Sequence, residues 1–259
     1  MAVIGAILGD IAGSQYETKR PSNLDYMHCE LFTEKCRFTD DTVMTLATKS
    51  AILNNISFAE SYRKFGRKYP FAGYGTKFIK WMWLSNSSAY NSFGNGSAMR
   101  CSYIAEYFNT EVEITEWASK SAECTHNHTE GIKGAVVTAM CIYMAKTGAS
   151  KEEILKYAAK QYPKSDYEYS VEYKLDEYRN KYKWNATCQG SVPTAIRCFL
   201  ESEDYESFLR TVFSFKCDVD TLCAIGGCIA EEFYHGTGLD EDKLLKKYLD
   251  ENLYEILKI

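Results

Sequence analysis

Two stretches of this chain set paired carboxylates beside a threonine where a helical apolar pattern begins: Thr39-Asp40-Asp41-Thr42 and Asp218-Val219-Asp220-Thr221. A helix start carries free N–H donors and a partial positive charge. Thr39 as N-cap with Asp40 and Asp41 in the first turn is therefore locally favourable, and a single such site says only that a helix begins there. The repetition carries more. If the two helix starts face each other, four carboxylates converge, and their repulsion calls for a cation. Oxygen donors with no His or Cys at matching spacing suit Mg2+, Mn2+ or Ca2+ and disfavour zinc. Two ions about 3.5–4 Å apart could share one bridging carboxylate and orient a water or a substrate hydroxyl.

A third element is Ser92-Phe-Gly-Asn-Gly-Ser-Ala-Met-Arg100. Gly94 and Gly96 let backbone approach a ligand closely, and Ser97 is placed to cap a helix through Met99, Ile104 and Tyr107. N–H groups at such a start form a nest for phosphate oxygens, and Phe93 could stack on a base or ribose. His126 and His128 are the clustered histidines. Their i, i+2 spacing does not put both on one helical face, which argues against an imidazole metal pair; one is assigned to substrate and the other to structure. His28 and His235 read as surface or capping residues. Glu17, in the segment after the first apolar run, could serve as a mobile carboxylate on a loop.

Helices must position these groups. Val43, Leu46, Ala47 and Ile52 mark one apolar stripe, Ala135, Met140, Tyr143 and Met144 a second, and Leu222, Ile225, Ile229 and Phe233 a third. Alternating strand patterns with hairpin signals are hard to find. Pro193, just after Gly190-Ser191, suits a helix start. The expected architecture is all-α, many helices joined by short loops. At 259 residues with no linker-like stretch, the chain is expected to be a single domain over 1–259. Residues 162 to 187 are rich in Tyr and charge, and read as a solvated excursion whose tyrosine rings lie against the body.

Apolar residues at 46% and charged residues at 25% are globular values. A net charge of −5 with no dense Lys/Arg block argues against a nucleic-acid-binding surface, while a small anionic ligand remains compatible. The apolar N-terminus lacks a basic leader, and Asp10 interrupts it before it could span a bilayer. A cytoplasmic protein is expected. Its ten cysteines are expected to be reduced and mostly buried, since no pair forms C-x-x-C.

Taken in order, Gly5-Ala-Ile-Leu-Gly-Asp-Ile-Ala-Gly-Ser-Gln-Tyr-Glu17, Phe38-Thr-Asp-Asp-Thr42, Gly73-Tyr-Gly75, Phe93 to Arg100, Thr125-His-Asn-His128 and Cys217-Asp-Val-Asp-Thr221 with its following Ala-Ile-Gly-Gly resemble the ADP-ribosylglycohydrolase family. The resemblance runs from about residue 4 to 235, weakest near 162 to 187. It implies an orthogonal multi-helix bundle with a binuclear Mg2+ or Mn2+ centre in a cleft. By motif match the metal ligands would be Thr39, Asp40, Asp41, Asp218, Asp220 and Thr221, with Asp220 as bridge. Glu17 matches the family's loop glutamate; Asp40, Asp41 or Glu17 could accept a proton from the attacking water. Gly94, Asn95, Gly96 and Ser97 match the loop holding diphosphate and distal ribose, Phe93 the aromatic before it, and His126 the histidine near substrate. The implied reaction is release of ADP-ribose from an acceptor on a protein, arginine favoured over serine, or from a small ADP-ribosyl conjugate, with an ADP-ribosylated nucleic acid left open, by a monomer. A Mg2+-dependent phosphohydrolase cutting the diphosphate, or a non-catalytic ADP-ribose binder, would use similar residues.

Overall fold

The structure is a computed structural model that describes residues 2–84 and 87–259. In chain order its α-helices are α1 (Ala2–Ser14), α2 (Asp40–Leu53), α3 (Phe58–Lys68), α4 (Thr76–Trp83), α5 (Ser102–Tyr107), α6 (Glu111–Glu123), α7 (Thr129–Lys146), α8 (Lys151–Gln161), α9 (Leu175–Tyr178), α10 (Cys188–Leu200), α11 (Tyr205–Phe213), α12 (Val219–Tyr234), α13 (Glu241–Tyr248) and α14 (Glu251–Lys258). Extended pairing among the described residues is limited to an isolated bridge between Gly94 and Thr187. The all-α expectation holds.

The centre of the bundle is the pair α1 and α12. Every residue of α1 is buried, and α12 is buried from Val219 through Glu231. A helix apolar all round belongs in a core rather than at a surface. What seats these two helices against each other is a glycine at every fourth position of α1. A Cβ built on Gly5 would lie 2.4 Å from the Gly227 carbonyl oxygen, on Gly9 2.3 Å from the Cys223 oxygen, and on Gly13 2.5 Å from Cα of Asp220. Spacing of four keeps the three glycines on one face, so the backbones run antiparallel in direct contact. The first turn of α12 is thereby delivered to the end of α1. Around this axis α12 also packs on α7, α10 and α11, while α2 lies against α1, α3 and α5.

Local reasons for the elements near the site are equally plain. Thr39 caps α2 by accepting the Asp41 N–H. Helix α10 starts earlier than expected, at Cys188 behind the N-cap Thr187, so that Pro193 falls inside it and deprives the Gln189 carbonyl of a helical donor. Ser97 does not cap a long helix. Residues Asn95–Ser97 form one 3-10 turn, α5 begins separately at Ser102, and the Ser97 hydroxyl donates to the Gly131 carbonyl at 2.7 Å.

In the segment 162–187 the tyrosines turn inward: Tyr162, Tyr169, Tyr178 and Tyr182 are buried, and Tyr182 packs on Tyr169 and Phe215 with ring centroids 4.6 and 5.7 Å apart. Eight of the ten thiols are buried and all ten are unpaired. No helix among the described residues is long and apolar enough to cross a membrane.

Candidate metal centre and ligand cleft

The starts of α2 and α12 meet. The Thr221 hydroxyl donates to Asp41 Oδ2 at 3.4 Å across 180 residues of sequence. Asp10, Asp41 and Asp220 each offer an oxygen within 4.8 Å of the others, as do Glu17, Asp218 and Asp220. Asp220 thus belongs to both triads. Asp10 lies in α1, one residue beyond the closest helix contact, and is fully buried. It accepts four hydrogen bonds: from Thr39 N at 2.9 Å, Thr39 Oγ1 at 2.7 Å, Thr42 N at 3.1 Å and Thr42 Oγ1 at 2.5 Å. These donors pin the first turn of α2 to α1. Asp218 stands at the N-cap position of α12, but its carboxylate is drawn aside to Asn95, whose Nδ2 donates to it at 2.8 Å and to Ser191 Oγ at 3.0 Å.

Burial and mutual repulsion raise the proton affinity of the whole cluster. Asp10 is pushed up to about 6 by desolvation against the four donors that oppose it. Asp40 is pushed up to about 8 by desolvation and then by the charges of Asp10, Asp218 and Glu17. Desolvation and then neighbouring carboxylates lift Asp41 and Asp220 well above the ordinary range, while Asp218 reaches about 6, held back by its Asn95 hydrogen bond. Buried carboxylates this close require protons or a cation. The Asp41 Oδ1 atom is buried with no hydrogen-bond partner. An oxygen-only donor set with one lone pair left open fits a hard divalent ion.

The acids line a cleft of about 430 Å3. The glycine turn beside them, joined to Asp218 through Asn95, is different in character. The turn Gly94–Gly96 is tied down by Asn95 N to Ala186 O and Cys188 N to Phe93 O, both 2.9 Å. His126 lies beneath it: a Cβ on Gly96 would meet His126 Nε2 at 3.2 Å. Desolvation, then the nearby Arg100 charge, holds the imidazole well below its usual value, so it is neutral. Arg100 lines the same cleft; it is almost wholly buried, with its guanidinium 4.1 Å from the ring centroid of Tyr62. The cleft is lined by acids and also carries a buried cation.

Of the residues singled out in sequence, Glu17, Asp40, Asp41, Gly94, Asn95, Gly96, His126, Asp218, Asp220 and Thr221 line this cleft. Glu17 faces Arg37 at 3.8 Å. Thr39 lies behind the acids, its hydroxyl spent on Asp10 and on capping α2. Ser97 is fully buried and turned away from the cleft, and Phe93 borders a neighbouring depression with Trp184 and Lys77. His128 caps α7 through Nδ1, His28 pairs with Asp25 on the surface, and His235 ends α12 with φ of 60°. Sequence reasoning missed Asp10 and Arg100. The signal for Asp10 was a lone carboxylate inside a fully apolar helix, an anomaly that needs donors around it. Arg100 carried no comparable mark.

A family model described as ADP-ribosylglycohydrolase matches residues 1–244, and the chain belongs to that family of glycohydrolase enzymes. It is similar to the mouse ADP-ribosylhydrolase ARH3, 27% identical over 302 aligned positions that cover 89% of this chain and 82% of the mouse protein. The human ADP-ribosylhydrolase ARH3 is 26% identical, covering 92% and 84%. ADP-ribosylarginine hydrolase Tri1 of Pseudomonas putida (strain GB-1) is 21% identical, covering 92% and 71%. Among solved structures, an ADP-ribosylglycohydrolase-related protein complex superposes with a TM-score of 0.75 at 20% identity, over 98% of this chain and 93% of that one, which shows the shared fold.

Proposed function

We propose that the protein hydrolyses the bond between the anomeric carbon of the proximal ribose of an ADP-ribosyl group and an acceptor atom on a protein, an arginine nitrogen being the acceptor we favour. Two Mg2+ or Mn2+ ions would be held by Asp40, Asp41, Asp218 and Asp220, with Thr221 and Glu17 as further oxygen donors and Thr39, expected as a ligand, bracing Asp10 from behind. Bound there, such ions would fix ribose hydroxyls and lower the pKa of a water. The observation that carries the reading is the meeting of two distant helix starts, with Asp220 common to both carboxylate triads.

The chain's own groups divide the work. Asp10 and Asn95 hold the acids in place from behind, each by hydrogen bonds to a carboxylate oxygen or from an amide. Asp40 is half-buried at the cleft wall with its pKa raised to about 8, a value suited to taking a proton from water near neutral pH. Glu17, partly exposed at the rim, is a second acceptor of that proton. The reacting bond passes through an oxocarbenium-like state, which adjacent carboxylates stabilise by their charge. At the Gly94–Gly96 turn, which Asn95 ties to Asp218, the backbone and the His126 ring receive the diphosphate, with the buried Arg100 charge behind them. An acidic mouth suits a guanidinium-bearing acceptor, and the arginine named for the Pseudomonas relative supports it as the first acceptor to try.

The test is incubation with a panel of ADP-ribosylated acceptors, with and without Mg2+, followed by mass spectrometry of what is released. Free ADP-ribose formed only with the divalent ion, and lost in Asp220→Ala, is the expected result. AMP with ribose phosphate, or turnover retained in Asp220→Ala, overturns the reading.

A further inference from the structure

Arg100, Thr125 and His126 form a short chain of hydrogen bonds behind the glycine turn. Arg100 Nη2 donates to the Ser121 carbonyl and to Thr125 Oγ1, both at 2.9 Å. Thr125 Oγ1 lies 2.7 Å from His126 Nδ1. A guanidinium is a donor at every nitrogen, so the threonine oxygen is an acceptor towards Arg100. A hydroxyl has a single proton, and the Thr125 side chain is fully buried, so that proton needs an acceptor inside the protein. The contact at 2.7 Å offers one: the lone pair of Nδ1. Were Nδ1 protonated instead, it and Arg100 would both donate to the same oxygen, and the hydroxyl proton would be left with the neighbouring Cys124 sulfur, a weak acceptor.

Resting on the ligand proposed above, we propose that Arg100 and Thr125 are positioning residues that fix His126 as the Nε2–H tautomer, so that the ring presents one neutral N–H donor to an oxygen of the bound ADP-ribosyl group at the Gly94–Gly96 turn. Three further observations agree. His126 Nε2 makes no hydrogen bond to any described residue, although the ring lines the cleft. Glycine at 94 and 96 keeps Nε2 uncovered, since a Cβ would stand 3.6 or 3.2 Å from it. Arg100 has no carboxylate ion pair among the described residues and its Nε atom is unpartnered, so its charge acts on the ring and the cleft without being cancelled locally. A neutral donor there has a physical purpose. A charged imidazolium would be drawn to the acids of the cleft, whereas an oriented N–H can serve only an oxygen placed at the turn.

The tautomer is measurable without activity. In full-length protein labelled with 15N-histidine, long-range 1H–15N spectra distinguish protonated from bare ring nitrogens, and His126→Gln assigns its signals among the four histidines. The expected result is a bare Nδ1 and a protonated Nε2 in the free protein, unchanged in Thr125→Ser and lost or mixed in Thr125→Val. ADP-ribose should shift the Nε2 signal, and its affinity should fall about tenfold in Thr125→Val, the effect of one misdirected hydrogen bond, with recovery in Thr125→Ser. A protonated Nδ1 in the unmodified protein overturns the inference whether or not Thr125→Val folds, as does a tautomer that Thr125→Val leaves unaltered. A correct tautomer whose Nε2 ignores saturating ADP-ribose counts instead against the proposed ligand.

Discussion

The close seating of α1 on α12 should be the most sensitive mechanical feature of the site, and Gly9→Ala tests it. The added Cβ would lie 2.3 Å from the Cys223 carbonyl oxygen and 2.6 Å from its carbon, and both are backbone atoms in a buried helix. Ordinary contact begins near 3.4 Å, so the helices must part by about an ångström. Alanine gains about 1 kcal/mol of helix propensity over glycine. Forcing a methyl into a packed core costs about 1–3 kcal/mol, and more where the obstacle is backbone. A net loss of about 2 kcal/mol follows, or a melting temperature lower by roughly 4–8 °C for a chain of this size. The control is Gly66→Ala in α3, where the nearest atom is the Met82 sulfur at 2.8 Å, the far end of a flexible side chain. That variant should stay within about 1 kcal/mol of the parent. Because Asp10 follows Gly9 and Gly13 touches the Asp220 backbone, Gly9→Ala should also weaken Mg2+ binding by calorimetry. A Gly9→Ala protein as stable as Gly66→Ala, with Mg2+ affinity intact, refutes the claim that this contact builds the site.

Three more outcomes are expected. Asp220→Asn replaces a buried carboxyl that must take up a proton on folding, so the metal-free protein should be more stable at neutral pH by about 1 kcal/mol or more while its melting point ceases to respond to Mg2+ and its turnover vanishes; a destabilised metal-free variant contradicts this. Carboxyls whose folded pKa is raised bind protons in the native state that the unfolded chain has already released, so stability falls as pH rises towards the folded value. With Asp40 near 8, melting in EDTA should lose about 2 kcal/mol from this carboxyl between about pH 6.5 and 8, with Asp41 and Asp220 acting in the same direction, above the range where depressed His126 acts in the opposite sense, and Mg2+ should restore it; a metal-free melting point that climbs over this window is the contrary result. Asn95→Ala frees the Asp218 carboxylate from its amide, and Mg2+ affinity by calorimetry should drop about 10-fold or more with the fold retained, since residues behind a metal ligand set its orientation.

The helical character of the chain and the location of its acids were written in local pattern. Apolar stripes at 43–52, 135–144 and 222–233 became α2, α7 and α12, and Thr39 caps α2 because a threonine oxygen accepting a first-turn N–H is a matter of neighbouring residues alone. That Asp40, Asp41, Asp218 and Asp220 suit a hard cation also follows from residue type. Their meeting does not, since 180 residues separate Asp41 from Thr221 and only the packing of α12 on α1 brings them to 3.4 Å. The same packing turned Asp10, which in sequence merely interrupts an apolar run, into the brace of α2, and moved Ser97 behind the glycine turn it was expected to serve. Pro193 inside α10 and Arg100 beneath the cleft belong with them. Local rules act over three or four residues, whereas burial, the approach of two backbones and the field of a distant charge depend on which helices touch, and the folded core decided that.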